Sequence, residues 1–188
     1  MTNSTGRRLA DASRSQLLVI DVQTRLAPVM SDRKTLLRNC ERLLKAANLL
    51  AVPVTVTEQY PKGLGRTEPS LLHALPAGLT PVEKTCFSCC GASGFEASVP
   101  SMENRQFILC GIESHVCVLQ TAMDLLDRNH QVFVAADAID SRSREHKQLA
   151  LGRMQQAGAI ITTTESVLFE WLRDAKHEQF KTISALLR

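Results

Sequence analysis

The sequence predicts a single three-layer α/β/α domain with a six-stranded parallel sheet in the strand order 3-2-1-4-5-6. Short apolar runs, typical of strands buried on both faces, alternate along the chain with stretches of helical hydrophobic spacing. Strands separated by helices imply right-handed crossovers and a parallel sheet with helices on both faces. The 188 residues suffice for one such domain, predicted over residues 16–188 after a flexible tail at 1–15.

The first half of the chain supplies the strands of one side of the sheet. The apolar run at 17–20 is the first strand, and the β-branched stretch at 53–57 is the second. Between them, apolar residues from Leu36 to Leu50 recur on one face of a helix. Residues 58–77 are rich in proline and glycine and predict a long, functional loop, which a brief extended segment at 81–84 follows.

The second half continues the alternation. Strands are predicted at 106–110, 131–136 and 159–161. A helix from His115 to Arg128 is expected to turn Val116, Leu119, Ala122, Met123 and Leu126 inward. Ser143 caps a further predicted helix that runs to Gln156 and ends at Gly158. Residues 166–188 predict one or two amphipathic helices that carry the only tryptophan, Trp171.

Composition excludes several classes of protein. The net charge of +3 is spread along the chain, whereas a nucleic-acid-binding protein needs clustered basic residues, so no nucleic-acid partner is expected. No apolar run is long enough to span a membrane. We expect the six cysteines to be free thiols in a reducing compartment, which predicts a cytoplasmic location with a mitochondrial one as the alternative. No Gly-rich phosphate loop follows the first strand, so no cofactor is expected.

Reactive side chains occur directly after several predicted strands. Asp21 and Lys84 end two of them, and Cys117 lies one turn into the helix after a third. In open α/β sheets, ligands bind beyond the carboxyl ends of the strands. A thiol near a helix N-terminus favours the thiolate, a carboxylate can take its proton, and a lysine stabilises both anions. The three residues therefore predict a Cys-Asp-Lys set that attacks a carbonyl carbon.

Three stretches resemble a known family, the isochorismatase-like cysteine hydrolases. They are LVIDVQ at 18–23, EKTCFS at 83–88 and GIESHVCV at 111–118. The run EQYPKGLG at 58–65 is similar to the isochorismatase domain-containing proteins within it. The resemblance implies that Asp21 is the general base, Lys84 the supporting cation and Cys117 the nucleophile.

The resemblance also implies further features of the site. It implies a cis peptide between Ile112 and Glu113 and an oxyanion hole formed by the backbone N–H groups of Glu113 and Cys117. Predicted walls of the substrate pocket are Gln23, Tyr60, Phe87 and Val116. Nicotinamidases of the family bind a metal through a D-x-H pattern after the second strand, but residues 57–63 contain no histidine and only Glu58 as a carboxylate, so no metal is expected.

The predicted function is hydrolysis of a small amide or related carbonyl compound through a covalent thioester-type intermediate. A catalytically weak or inactive binding module of the same fold stays open as the alternative. Cys86 and Cys89 form a C-x-x-C pair, but a thioredoxin-like helix after a strand is missing, which favours packing over redox chemistry. His115 either faces the pocket or the solvent. The chain is expected to be a homo-oligomer, with an interface on the C-terminal helices around Trp171.

Overall fold

The computed structural model describes residues 9–99 and 105–188. Its sheet consists of β1 (Ser15–Ile20), β2 (Val54–Gln59), β3 (Val82–Lys84), β4 (Gln106–Ile112), β5 (Gln131–Asp140) and β6 (Ile160–Thr162). All neighbouring strands pair in parallel, in the order β3-β2-β1-β4-β5-β6. This arrangement confirms the predicted fold class. β1 and β4 lie side by side at the centre, where the direction of winding reverses.

Helices cover both faces of this sheet. They are α1 (Arg33–Leu49), α2 (Pro61–Leu64), α3 (Pro69–Leu72), α4 (Leu119–Asp127), α5 (Arg144–Gln156), α6 (Thr164–Leu172) and α7 (Phe180–Ala185). One apolar layer joins the sheet to α1, α6 and α7, and a second joins it to α4 and α5. The completely buried residues of β1 contribute alternately to the two layers, because successive side chains of a strand point to opposite faces.

The predicted helix boundaries follow local chemistry. Asp32 caps α1 by accepting the Thr35 N–H, and Ser143 caps α5 by accepting the Glu145 N–H, as the sequence predicts for Ser143. The region predicted as an uninterrupted loop contains α2 and α3, each with proline in its first turn, where the missing N–H costs nothing. β2 also extends through Gln59, two residues beyond its predicted end.

The helix after β4 turns the five predicted residues toward the core, but a π turn precedes it and adds further buried positions. Residues Ser114–Val118 form a π-helical turn before α4, and the Val118 N–H donates to the Glu113 carbonyl at 3.2 Å. A π turn holds an additional residue, so the burial pattern shifts against regular helical spacing. Leu119 and Ala122 are buried as predicted, and Val116, Met123 and Leu126 are partly buried against the same core. The residues buried in addition are Cys117, Thr121 and Leu125.

The two ends of the described chain pack on the domain. Ala10 is buried, and its N–H donates to a Glu170 carboxylate oxygen at 2.6 Å, so packing begins within the segment predicted as a tail; residues 1–8 lie outside the described part. The Trp171 indole N–H donates to the Ser15 hydroxyl at 2.8 Å, and the side chain is only 3% exposed. Trp171 therefore belongs to the core of its own chain and is not available for the predicted interface.

None of the helices in residues 9–99 and 105–188 combines the length and apolar character that crossing a bilayer requires.

Candidate active site

Asp21, Lys84 and Cys117 come together at the carboxyl edge of the sheet. Asp21 directly follows β1, Lys84 is the last residue of β3, and Cys117 lies in the π turn after β4. The Lys84 Nζ atom donates to Asp21 Oδ2 at 2.7 Å, and both side chains are completely buried. The negative charge of Asp21 also acts on the Cys117 thiol and contributes to the rise of its pKa. The sequence thus identified three residues that the fold gathers into one cluster.

Asp21 is held at both its backbone and its side chain. Its φ of 52° lies in the left-handed region, which aspartate enters more readily than most residues. Its N–H donates to the Thr57 carbonyl at 3.2 Å. The Thr57 hydroxyl donates to Asp21 Oδ1 at 2.6 Å, so each oxygen of the carboxylate has its own donor. Neighbouring strands therefore set the orientation of this buried anion.

Lys84 has acceptors on several sides. Besides Asp21, its ammonium contacts Gln59 Oε1 at 2.7 Å and the carbonyl oxygens of Cys86 at 3.3 Å and Phe87 at 3.0 Å. Burial acts to lower the pKa of Lys84, but the negative charge of Asp21 and its hydrogen bond to the ammonium act in the opposite direction, and the pKa is raised. A raised pKa favours the protonated form of Lys84, so this residue serves as a fixed cation and not as a proton acceptor.

The surroundings of Cys117 favour the protonated form of its thiol. Burial raises the pKa of Cys117 well above its usual range, the charge of Asp21 raises it further, and the Lys84 ammonium offsets only part of this. The sequence led us to expect a thiolate at a helix N-terminus, and the structure gives the opposite result. The reason is that a buried carboxylate beside the sulfur disfavours a second negative charge.

The backbone before Cys117 has an unusual geometry. The peptide bond between Ile112 and Glu113 is cis. Gly111, with a φ of 114°, lies against the backbone of Ile20, so that an added Cβ would overlap the Ile20 carbonyl oxygen. Only glycine permits this close approach of β4 to the end of β1. This contact sets the spacing between the start of the Cys117 turn and Asp21.

A cavity of about 470 Å³ adjoins the cluster on the side of Lys84. It is lined by residues 60–62, 83–86 and 91–93. Asp21 and Cys117 do not line it, and Cys117 is only 6% exposed. The cavity has the size of a small-molecule site.

The predicted pocket residues occupy different positions. Tyr60 lines the cavity, and its half-exposed ring packs over Gly63. Gln23 does not face the cavity, because it is buried and its amide bonds to the backbone of Gln59 and Gly65, which holds the loop in place. Phe87 exposes its ring and contributes its carbonyl oxygen to Lys84, and Val116 is partly buried beside Cys117.

Both carboxylate oxygens of Glu58 are engaged in hydrogen bonds within the protein. Its Oε1 atom accepts the N–H and the hydroxyl of Thr67, and its Oε2 atom accepts from Arg66 at 2.9 Å. Glu58 therefore holds the loop after β2 in place through its hydrogen bonds to Arg66 and Thr67. Within the described residues, no group of three or more His, Cys, Asp or Glu side chains is arranged to hold a metal ion.

His115 lies partly exposed beside the Cys117 turn. Its Nδ1 atom is 2.9 Å from the Ser141 hydroxyl, and its ring centroid is 4.6 Å from that of His146. Burial lowers the pKa of His115, Glu113 opposes this shift, and His146 and Arg142 add to it. These contacts tie His115 to the start of α5.

Sequence reasoning missed three residues of the cluster: Thr57, Gln59 and Cys89. Thr57 and Gln59 alternate along β2 and face the site from its carboxyl end, so their period-2 spacing was a usable signal. Cys89 is completely buried, and its Sγ atom lies 3.8 Å from the Thr57 hydroxyl. Nothing in the sequence distinguishes Cys89 from its neighbour Cys90. All six cysteines are described and free, and five of them are buried, Cys86 being the exception.

Comparisons with known proteins agree with this architecture. The model of the isochorismatase domain family matches residues 15–166. The chain is 42% identical to human isochorismatase domain-containing protein 2 over 98% of its own length and 87% of that protein. It superposes on the MAR1 ribonuclease from Caenorhabditis elegans with a TM-score of 0.89 and 38% identity, covering 95% of this chain and 92% of the other. YcaC of Escherichia coli, described as an octameric hydrolase of unknown specificity, has the same fold, with a TM-score of 0.89, 23% identity, and coverage of 98% and 91%.

Proposed function

The chain belongs to the isochorismatase family, and from this premise we propose that it is a metal-independent hydrolase with Cys117 as its nucleophile. The proposed substrate is a small amide or a related carbonyl compound. The proposed catalytic residues are Asp21, Lys84 and Cys117. The observation that carries the proposal is the completely buried Asp21–Lys84 pair, with Nζ and Oδ2 2.7 Å apart, beside a thiol whose pKa is raised by burial and by the charge of Asp21.

The first half-reaction forms a thioester. The Cys117 Sγ atom attacks the carbonyl carbon while its proton passes to the Asp21 carboxylate, because a thiol with a raised pKa does not ionise beforehand. The tetrahedral intermediate then collapses, the C–N bond breaks, and the proton on Asp21 moves to the departing amine. The products of this half are a thioester at Cys117 and a free amine.

The second half-reaction returns the enzyme to its resting state. A water molecule gives one proton to Asp21 as its oxygen attacks the thioester carbon. The C–S bond breaks, the acid is released, and the proton on Asp21 returns to the sulfur. Throughout, the Lys84 ammonium keeps Asp21 oriented and moderates the negative charge of carboxylate and sulfur. The backbone N–H groups of Glu113 and Cys117 are the proposed donors to the oxyanion.

A substrate screen tests the nucleophile. Wild type and Cys117→Ala are compared against a panel of small amides and esters, with intact-protein mass spectrometry for an acyl adduct. We expect turnover and the adduct in wild type only. Cys90→Ala is the matched control, since Cys90 is also buried but its interacting groups lie away from Asp21 and Lys84, and it should retain activity. Turnover that survives in Cys117→Ala would contradict the proposal.

A binding module of the same fold is the competing possibility, and thiol reactivity separates the two. Wild type and Asp21→Asn are treated with iodoacetamide, and alkylation of each cysteine is followed by site-resolved mass spectrometry. Cys86, the least buried thiol, is the internal reference. A general base makes Cys117 react faster than its burial allows, and Asp21→Asn should remove this advantage. Equal rates at Cys117 in both proteins would favour the binding module.

Ribonuclease activity is a second candidate function. The observation in its favour is the 38% identity to a protein named MAR1 ribonuclease. The small net charge of +3 argues against strong RNA binding, because affinity for nucleic acid depends on neutralising phosphates. A labelled single-stranded RNA is therefore included in the screen. RNA cleavage that copurifies with wild type and disappears in Cys117→Ala would favour this second function over amide hydrolysis.

Self-association is a further part of the proposal. The related E. coli protein is described as octameric. In this chain Leu9 and Phe169 are exposed apolar residues that line one surface depression with Thr163 and Arg173. We expect light scattering to give a multiple of the single-chain mass. A monomer over the micromolar range would contradict this expectation.

A further inference from the structure

A short chain of hydrogen bonds lies beneath the Asp21 carboxylate. The Thr57 hydroxyl is 2.6 Å from Asp21 Oδ1, and the Cys89 Sγ atom is 3.8 Å from the Thr57 hydroxyl. All three residues are completely buried. The reaction proposed above assigns no step to Thr57 or Cys89, so their arrangement requires its own explanation.

The direction of these hydrogen bonds follows from the chemistry of the groups. An ionised carboxylate only accepts, so the single hydroxyl proton of Thr57 points at Asp21. The lone pairs of that hydroxyl are then available to a donor. Burial raises the pKa of Cys89 to about 12, and the charge of Asp21 contributes to this rise, so Cys89 carries its proton and can donate it. The chain runs in one direction, from Cys89 through Thr57 to Asp21.

The far end of this chain is fastened to the helix that follows the nucleophile. The Cys89 N–H donates to the Thr121 hydroxyl at 3.0 Å, and Thr121 is a buried residue of α4, one turn beyond Cys117. Asp21 and Cys117 leave different strands, and this route joins their supporting elements. Contacts through Cys89 therefore connect the position of the carboxylate with that of the nucleophile turn.

We propose that Thr57 is a positioning residue of the hydrolase, which orients the Asp21 carboxylate toward the Cys117 thiol, and that Cys89 holds the Thr57 hydroxyl in the required direction. This inference rests on the proposed function, since it supposes that Asp21 takes the Cys117 proton. Lys84 holds Oδ2 and Thr57 holds Oδ1, so the two donors fix the carboxylate plane. With Lys84 alone, the carboxylate can turn about its own axis.

The expected consequence is a loss of turnover rather than of substrate binding. Thr57 is completely buried, and its hydroxyl already donates to Asp21 and lies against the Cys89 thiol, so it is engaged within the protein and not by a bound molecule. A carboxylate displaced by a fraction of an ångström accepts the thiol proton less well, and misplacement of about 1 Å can cost roughly 100-fold in rate. kcat should therefore fall while KM stays nearly constant.

The test compares three substitutions in β2. Thr57→Val removes the hydroxyl and keeps the shape, whereas Thr57→Ser keeps the hydroxyl. Thr55→Val is the matched control, because Thr55 is a buried threonine on the same face of the same strand and its hydroxyl contacts Ser98 and Gln16 instead of Asp21. Urea unfolding of each variant identifies any effect that comes from stability alone. If Thr57→Val fails to fold, Cys89→Ala and Cys89→Ser replace the first pair.

The primary measurement is the rate of Cys117 alkylation by iodoacetamide, which needs no known substrate. We expect Thr57→Val to slow it by about 10-fold or more, with kcat falling in parallel on any substrate found, since a general base contributes roughly 100-fold or more. The rate of Cys117 alkylation in Thr57→Ser and Thr55→Val should stay within about threefold of wild type. Alkylation should be faster in Cys89→Ser than in Cys89→Ala, because a serine hydroxyl can still donate a hydrogen bond to Thr57. Equal alkylation in Thr57→Val and Thr55→Val overturns the positioning role.

Asp21→Asn separates this inference from the proposed function. If Asp21→Asn leaves Cys117 alkylation unchanged, Asp21 is not the base, and the proposed function fails together with the role of Thr57. If Asp21→Asn slows alkylation but Thr57→Val does not, the proposed function stands and only the positioning role is wrong. If both slow it and Thr57→Ser restores the rate, both proposals are supported.

Discussion

At the level of single residues, the buried Asp21–Lys84 pair governs both stability and chemistry. Two charges removed from water pay a large desolvation cost, which their attraction and their hydrogen bonds must offset. Asp21 has the Thr57 donor and Lys84 has three further acceptors, so neither charge lacks a partner. Loss of either member leaves the other as an isolated buried charge, which is far more costly than the loss of the pair.

The first prediction uses this asymmetry. Asp21→Asn and Lys84→Met should each lower the free energy of unfolding by about 3–5 kcal/mol, because each leaves an uncompensated buried charge. The double variant should recover most of this loss, since no net charge then remains in the cluster. Urea unfolding at neutral pH measures all three values, and additive losses in the double variant would contradict the account. Activity should stay absent in all three.

At the level of elements, the turn between β4 and α4 places the nucleophile. Its geometry depends on three features in sequence: a glycine that touches β1, a cis peptide, and a π turn. Gly111 lies opposite Ile20 in the β1–β4 pairing, one residue before Asp21. The close contact between two strands thus brings the Cys117 turn and the base to the same point of the sheet edge.

The second prediction concerns Gly111. Gly111→Ala places a Cβ on the Ile20 backbone at a φ of 114°, so the central strands must separate, and we expect a loss of several kcal/mol or failure to fold. Gly152→Ala is the matched substitution, because Gly152 lies inside α5 and an added Cβ there meets no atom within 4 Å. It should stabilise the protein by about 0.5–1 kcal/mol. Thermal unfolding of both variants is the measurement, and a Gly111→Ala protein as stable as wild type would refute the close-contact argument.

At the level of the whole molecule, buried thiols connect stability to pH. Burial is the largest cause of the raised pKa at Cys89, Cys90 and Cys117. For Cys89, burial together with the charge of Asp21 raises the pKa from 9.0 to about 12. The unfolded chain releases these protons near pH 9, whereas the folded protein retains them. The folded state therefore binds more protons above this pH, and the free energy of unfolding must decrease as the pH rises.

The third prediction follows from this sign. The contribution of these thiols to stability should be constant up to the ordinary thiol pKa and then fall toward pH 12, by about 1.4 kcal/mol per pH unit for each such thiol. Urea unfolding at several pH values above 8 measures the slope. Cys89→Ala should have a shallower alkaline slope than wild type, whatever its loss of packing at neutral pH. An identical slope in the two proteins would show that Cys89 does not contribute.

Most of the strand positions could be predicted from the sequence, because a strand buried on both faces must be apolar throughout, as 17–20 is. The residues predicted to face inward from the helix after β4 do contact the core, but the π turn before this helix was not predicted, since hydrophobic spacing does not reveal an inserted residue. Three residues of the candidate site could be found from the sequence, because Asp21 and Lys84 lie at strand ends and Cys117 lies in the turn after a strand. Thr57 was missed although its spacing along β2 gave a signal, whereas Cys89 could not be found, because its thiol acts through a contact with a residue 32 positions away.

The sequence by itself determined the parallel sheet, because hydrophobic patterning along the chain specifies strands that alternate with helices. The strand order and the candidate side chains at the sheet edge followed from this pattern together with the resemblance to the family. The tertiary structure alone decided the raised pKa of Cys117, the burial of the Asp21–Lys84 pair, the hydrogen bonds that engage the Glu58 carboxylate and the place of Trp171 in the core. Each of these depends on which side chains lose contact with water when the chain folds. Desolvation is a property of the assembled fold and cannot be read from any one stretch of sequence.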